Sequence, residues 1–189
     1  MEPIFMVRIF KSRALLWLAL LVMATFLSGC QAKPVPLSPG AASFKQEITN
    51  CLTNLSAALM EPVAKKDVAA INAALEKVES PAVKLCRLCP FQVGVLDQSG
   101  AALAMYPPRA GNGTKNYSNY GLMNKAISSK KIQQQRFFLQ NGSELYIICA
   151  PLVHGDKVIG LVAIAVNSDD AAKGWGLTEK EFLGLNFNT

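Results

Sequence analysis

The stretch LYIICAPLVHGDKVIGLVAIAV, Leu145 to Val166, is two apolar runs separated by His154-Gly155-Asp156. Runs of this kind, rich in Ile, Val and Leu and bounded by turn residues, read as strands. Their polar residues are too few to line a solvated face. Both faces of these central strands should therefore be covered by other parts of the chain.

Working backwards, Asn141-Gly142 joins SELYIICAPLV (143–153) to KIQQQRFFLQ (131–140). That dipeptide is the strongest short hairpin signal, because both residues accept positive φ. A second hairpin precedes it. FQVGVL (91–96) and AALAMY (101–106) flank Asp97-Gln98-Ser99-Gly100, where an aspartate can accept from turn amides and a glycine can turn the chain. Between the hairpins, Pro107 to Asn116 reads as a loop and YSNYGLMNKAISS (117–129) as a short helix.

The N-terminal part follows a different period. Phe44, Ile48, Cys51/Leu52, Leu55 and Leu59 recur at three and four, the stripe of an amphipathic helix that Pro62 should end or kink. A second helix is expected after Asp67 as N-cap, with Val68, Ile71, Leu75 and Val78 on one face and Ser80-Pro81 as its stop. At the other end, Thr178 and Glu181 have capping-box spacing ahead of EKEFLGL (179–185). The expected order is helix, helix, strand, strand, helix, three strands, helix, with no internal repeat. This is an α+β fold: a five-stranded antiparallel sheet with long N-terminal helices on one face and the short helix and loop on the other.

The first residues concern destination rather than fold. Arg8, Lys11 and Arg13 precede an uncharged run, Ala14 to Leu27. This is the order of a secretory signal, and it is too short for a spanning helix. The run ends in Leu27-Ser28-Gly29-Cys30, which resembles the lipobox of bacterial lipoproteins. That resemblance implies a diacylglyceryl group on Cys30 and cleavage before it, and two or more acyl chains hold a membrane where one does not. The organisation expected is a signal peptide at 1–29, a lipidated cysteine with a flexible, proline-rich tether at 30–40, and one domain at 41–189. Cleavage removes Arg8, Lys11, Arg13 and Glu2 and lowers the net charge from +6 to +4. With no dense Lys/Arg run and an extracytoplasmic compartment, nucleic acid is excluded as a partner. The expected location is the bacterial cell envelope facing the periplasm; Gln31 after the cysteine matches the enteric pattern for the outer rather than the inner membrane.

The domain itself resembles an extracytoplasmic sensor domain of the Cache type, a relative of PAS domains with a profilin-like sheet, over about residues 41 to 168. The resemblance rests on EPVAKKDVAAINAALEKV (61–78), VGVLDQSGAALAMYPP (93–108) and LYIICAPLVHGDKVIGLVAIAV (145–166). It implies a small-molecule ligand between the sheet and its covering loop and helix. Such domains usually sit between two membrane helices of a receptor. Here no second membrane segment or output domain is evident, so a signal is expected to pass through a partner protein in the envelope. The family's amino-acid-binding motifs are not evident, and ligand class is not carried over.

Candidate ligand-binding residues come from the covering segment and facing strands: Tyr106, Arg109, Tyr117, Tyr120 and Arg136. An arginine can hold a carboxylate with two hydrogen bonds, and tyrosines can wall an apolar space or close on a cation. The plain alternative is an arginine facing water and tyrosines packed on the sheet. Apart from Cys30, four cysteines remain, Cys51, Cys86, Cys89 and Cys149; in an oxidising compartment disulfides come first, with three connectivities open. A redox pair at Cys86/Cys89 comes second, although Pro90 and a strand follow where a helix would be needed to lower the thiol pKa. A metal site comes third, since a single CxxC is present. His154 is the one histidine and sits in a turn, and GxSxG, Walker and GxGxxG patterns are absent. No enzyme and no cofactor are expected. A structural or assembly lipoprotein that uses the same fold to hold another protein is the alternative function, and a thiol redox protein a weaker one.

Overall fold

A computed structural model describes residues 36–77, 92–108 and 115–188. Ser38 opens the first helix, α1 (Pro39–Lys65), by accepting from the Ala41 amide at 3.2 Å. Pro39 follows at the first turn, where its missing N–H would have had no partner. The helix thus starts inside the proline-rich stretch. Phe44, Ile48, Cys51, Leu52, Leu55 and Leu59 are all buried along one stripe. Pro62 does not stop α1: so close to the C-terminal end it removes one helical hydrogen bond, and the helix closes at Lys66 in the left-handed conformation (φ 53°).

Asp67 caps α2 (Val68–Glu76), its Oδ1 accepting from Ala70 N at 3.0 Å. Ile71 and Leu75 are buried as the spacing predicts, whereas Val68, in the first turn, is 44% exposed. The expected stop at Ser80-Pro81 lies outside the described residues, as do Cys30, Cys86, Cys89 and Arg109.

The sheet consists of β1 (Gln92–Asp97), β2 (Ala102–Tyr106), β3 (Gln133–Phe138), β4 (Glu144–His154) and β5 (Lys157–Asn167), all antiparallel, in the order β2-β1-β5-β4-β3. Asp97 shapes the first hairpin: its Oδ1 accepts from Ser99 N (2.8 Å), Ser99 Oγ (2.6 Å) and Ala101 N (3.1 Å). Gly100 then turns the chain at φ +81°, against the Ser118 backbone. In the β3–β4 hairpin Asn141 Oδ1 accepts from Ser143 N and Oγ at 3.1 and 2.7 Å.

Both faces of the sheet are covered. On one, Val93, Val95, Ile148 and Ile164 join Phe44, Leu59, Ile71 and Phe182 in the larger core. On the other, Leu96, Cys149 and Leu161 meet Leu122, Met123 and Ala126 of α3 (Gly121–Ser129). The short helix predicted over 117–129 begins at Gly121, after a turn at Ser118-Asn119.

One element differs from the expected order. After β5 the chain forms α4 (Ser168–Trp175), capped by Asn167 Oδ1, which accepts from Asp169 N (2.8 Å) and Asp170 N (3.4 Å). Its acidic first turn suits the positive end of a helix dipole. α4 seats the start of α1: Phe44 meets the Trp175 ring edge-on at 5.2 Å, and a Cβ on Gly40 would overlap the Trp175 carbonyl. The predicted capping box opens α5 (Glu179–Gly184), with Glu181 Oε2 accepting from Thr178 N at 3.0 Å and from Thr178 Oγ1 at 2.7 Å. The Ser38 hydroxyl adds a further hydrogen bond, and with Thr178 it holds the Glu181 carboxyl down at about 2. Among the described residues no helix is long and apolar enough to cross a membrane.

Candidate ligand-binding site

Alternation along the strands sends Gln92, Gly94 and Leu96 of β1 to the α3 side and Val93 and Val95 to the α1 side. The β1–β5 register sets Gly94 opposite Ala163 and Gln92 opposite Ala165. Three small residues, Gly94, Ala163 and Ala165, therefore meet where larger side chains would have filled the layer. They form the floor of a cavity of about 640 Å³, within the range of small-molecule sites. A Cβ on Gly94 would have Met105 Cε as its nearest neighbour, at 3.8 Å, so it would point into this space.

The walls are larger side chains of the same face. Met105, Phe137, Leu145 and Ile147 rise from β2, β3 and β4, and Met123 of α3 closes over them. Tyr117 and Tyr120 come from the chain just before α3. Their ring centroids lie 5.7 Å apart, and Tyr120 is 5.7 Å from Phe137, so the three form a continuous aromatic wall. Burial, with the neighbouring Tyr120, pushes the Tyr117 hydroxyl above its ordinary pKa; it stays protonated and reaches Met105 Sδ at 3.8 Å.

The cavity is polarised. Gln92, Asn167 and Asp170 gather at the end where β1 starts and β5 finishes, while Leu96 and Met123 mark the apolar part. Asn167 uses its Oδ1 to cap α4, and the same cap fixes Asp170 in the first turn of that helix. Among the described lining residues Asp170 is the one charged group, and none is basic.

The residues singled out from sequence divide between the two faces. Tyr117 and Tyr120 line the cavity. Tyr106 is paired with Val93 and packs against the larger core on the opposite face. Arg136 also faces away: it contacts Glu179 of α5, sits 3.6 Å from Glu144 Oε2, and lies over the Phe138 ring at 4.4 Å. A second hollow of about 520 Å³ on that side is lined by Glu144, Asp169 and Glu179, two of which Arg136 pairs with.

Cys51 and Cys149 are buried in different layers and are not bridged to each other. Burial pushes the Cys149 thiol up to about 12, and its Sγ lies 3.3 Å from Met123 Sδ. His154 is exposed at the β4–β5 turn. Sequence reasoning missed Gln92, Gly94, Asn167 and Asp170. The signal for the last two was present in Asn167-Ser168-Asp169-Asp170, an N-cap followed by an acidic first turn directly after a strand.

The sequence matches no family model and no curated protein. Solved structures do share the fold. The extracellular domain assigned to the histidine kinase vpHK1S-Z8 aligns at a TM-score of 0.59 and 15% identity over 75% of this chain and 57% of that one. A domain of a sensory box/GGDEF family protein from Vibrio parahaemolyticus aligns at 0.56 and 14% identity over 75% and 61%. The chain thus spans less than two thirds of each of these domains. At such identities the likeness concerns architecture alone: an open five-stranded antiparallel sheet with flanking helices.

Proposed function

We propose that this chain is an extracytoplasmic sensor module that binds a small molecule in the cavity between the sheet and α3. It is held to the membrane by lipid on Cys30, faces the periplasm from the outer membrane, and passes ligand occupancy to an envelope protein partner. The observation that carries the reading is the hollow at Gly94, Ala163 and Ala165, walled by Tyr117, Tyr120 and Phe137 in a fold used by sensor domains. The lipobox at Leu27–Cys30 and the Gln31 that follows support the anchoring.

Binding rather than catalysis is the role proposed. The described cavity lining holds no serine, threonine, cysteine, lysine or histidine, and the Cys149 thiol is buried and protonated. The test is a thermal-shift screen of small amines, carboxylates, amino acids and nucleobases. A compound that binds only the folded state stabilises it by about 2.7 kcal/mol at a hundredfold excess over Kd. We expect a concentration-dependent rise for one class that Tyr120→Ala diminishes. A flat response across the library contradicts the reading and favours the assembly role, for which Phe138, 65% exposed, offers a contact point.

A further inference from the structure

The polarity of the cavity specifies what it takes. We propose that its ligand is an organic cation: an ammonium group at the Asp170 end joined to an apolar body that lies on Gly94, Ala163 and Ala165 against Tyr117, Tyr120 and Phe137. This deepens, and rests on, the reading of the cavity as a ligand site.

Three observations converge. Asp170 is the single charged residue among the described lining, half-buried, with no side-chain partner from the protein, and fixed in place by the Asn167 cap. A part-exposed carboxylate at the edge of an apolar cavity, with no side-chain partner, is open to pair with a ligand cation. The aromatic wall is the second observation. Ring faces carry negative potential and attract cations, most strongly where water is excluded. Tyr117, Tyr120 and Phe137 supply three rings in a row, and the Tyr117 hydroxyl stays neutral, so it adds no competing charge.

The third observation is where positive charge goes. Arg136, one of the two arginines that could have clamped a carboxylate, is turned to the opposite face and engaged by Glu144 and Glu179, and the other, Arg109, lies outside the described residues. Lys66 is taken by Asp97 at 3.6 Å, and Lys130 Nζ donates to the Asp156 carbonyl at 2.6 Å. Among the described lining residues, then, a ligand carboxylate would meet Asp170 with no cation to balance it. The Gln92 side chain can accept or donate, and the Asn167 Nδ2 can donate, at the same end, which orients a polar head without adding charge. The floor sets the other limit. The apolar body must fit over residues no larger than alanine, between Met105 and Ile147.

The test uses the full chain in lipid nanodiscs and isothermal titration calorimetry with three probes of one skeleton: phenethylammonium, the neutral 2-phenylethanol and the anion 3-phenylpropionate. Gly94→Leu, which fills the floor, serves as the blank for partitioning into lipid. The expected result is that phenethylammonium binds more tightly than the alcohol and 3-phenylpropionate most weakly. Asp170→Asn should weaken the ammonium alone, by about ten- to a hundredfold, the range of a charged hydrogen bond. Tyr117→Leu should weaken it with a smaller loss, which checks the aromatic wall even where the Asp170 variant folds poorly. Tighter binding of 3-phenylpropionate, or equal losses for all three probes in Asp170→Asn, overturns the cation assignment and leaves the small-ligand reading standing. No difference between wild type and Gly94→Leu for any probe, in a library screen as well as here, overturns both.

Discussion

The two faces of the sheet are built from the same strands and differ in almost everything else. On the α1 side Val162, Ile164 and Val166 project from β5 into a filled core. On the α3 side their neighbours Ala163 and Ala165 project into open space. The covering elements differ likewise: a 27-residue helix with α2, α4 and α5 on one face, a nine-residue helix and a short tyrosine-bearing segment on the other. Burial of large side chains stabilises roughly in proportion to area, so stability is concentrated on the first face. The second is released from that duty and can keep a hollow. A one-residue step along a strand is the distance between the two roles.

The sharpest way to break this contrast is a pair of identical truncations on adjacent residues of β4. Ile148 is fully buried on the filled face and Ile147 lines the cavity. Ile148→Ala should cost about 2–5 kcal/mol in urea denaturation, as core truncations do, and Ile147→Ala about 1 kcal/mol, since it deletes atoms that already border a void. Equal losses would mean that both faces are packed alike.

Next in size are two glycines. A Cβ on Gly160 would lie 2.6 Å from both the Leu96 carbonyl oxygen and Val63 Cγ1, so Gly160→Ala should destabilise by about 1–3 kcal/mol through overpacking. Gly94→Ala meets open cavity and should stabilise by about 0.5–1 kcal/mol, the usual gain on removing a strand glycine. Thermal denaturation of the two variants gives the signs directly; destabilisation by both would remove the hollow from the description.

A pH-dependent effect of about the same size as that at Gly94 lies at the seam between α1 and the first hairpin. Burial works to raise the Asp97 pKa, but hydrogen bonds from the Ser99 hydroxyl, the Ser99 and Ala101 amides and the nearby Lys66 ammonium outweigh it and hold the carboxyl below its ordinary value. A carboxyl depressed in the folded state contributes stability above its unfolded pKa of about 4 and loses it as pH falls through the folded value. Wild-type stability should therefore decline on acidification below about pH 4. Asp97→Asn should cost about 1 kcal/mol at neutral pH and show a flatter profile in acid. An unchanged acid profile would show that Asp97 is not tied to Lys66 and the turn.

Much of this architecture was legible in local chemistry. The turns at Asp97–Gly100 and Asn141-Gly142, the Asp67 cap and the Thr178–Glu181 box are each specified by a few residues whose side chains bond the adjacent backbone, and such signals survive without tertiary context. α4 was not legible because eight residues with one buried side chain, Ala171, give no periodic stripe. The assignment of faces was hidden for a different reason. Between Leu145 and Val166 nearly every residue is apolar, so alternation of polarity cannot tell which parity looks at which layer. Arg136 and Phe137 are adjacent and face opposite ways, and only the helices packed on the sheet decide which of them meets the cavity. A subtler signal was there: within Val162-Ala163-Ile164-Ala165-Val166, size alternates where polarity does not, and the small members mark the hollow.

The most direct test of a sheet filled on one face and hollow on the other is methyl NMR under xenon pressure, since xenon enters apolar voids large enough to hold it. The expected result is that shifts are confined to Ala163, Ala165, Ile147 and Leu145, with Ile148, Ile164 and Val162 on the same strands unmoved, and that Gly94→Leu abolishes them. Shifts at Ile148 and Ile164, or none at the alanines, would contradict the division of the sheet into a stabilising face and a binding face.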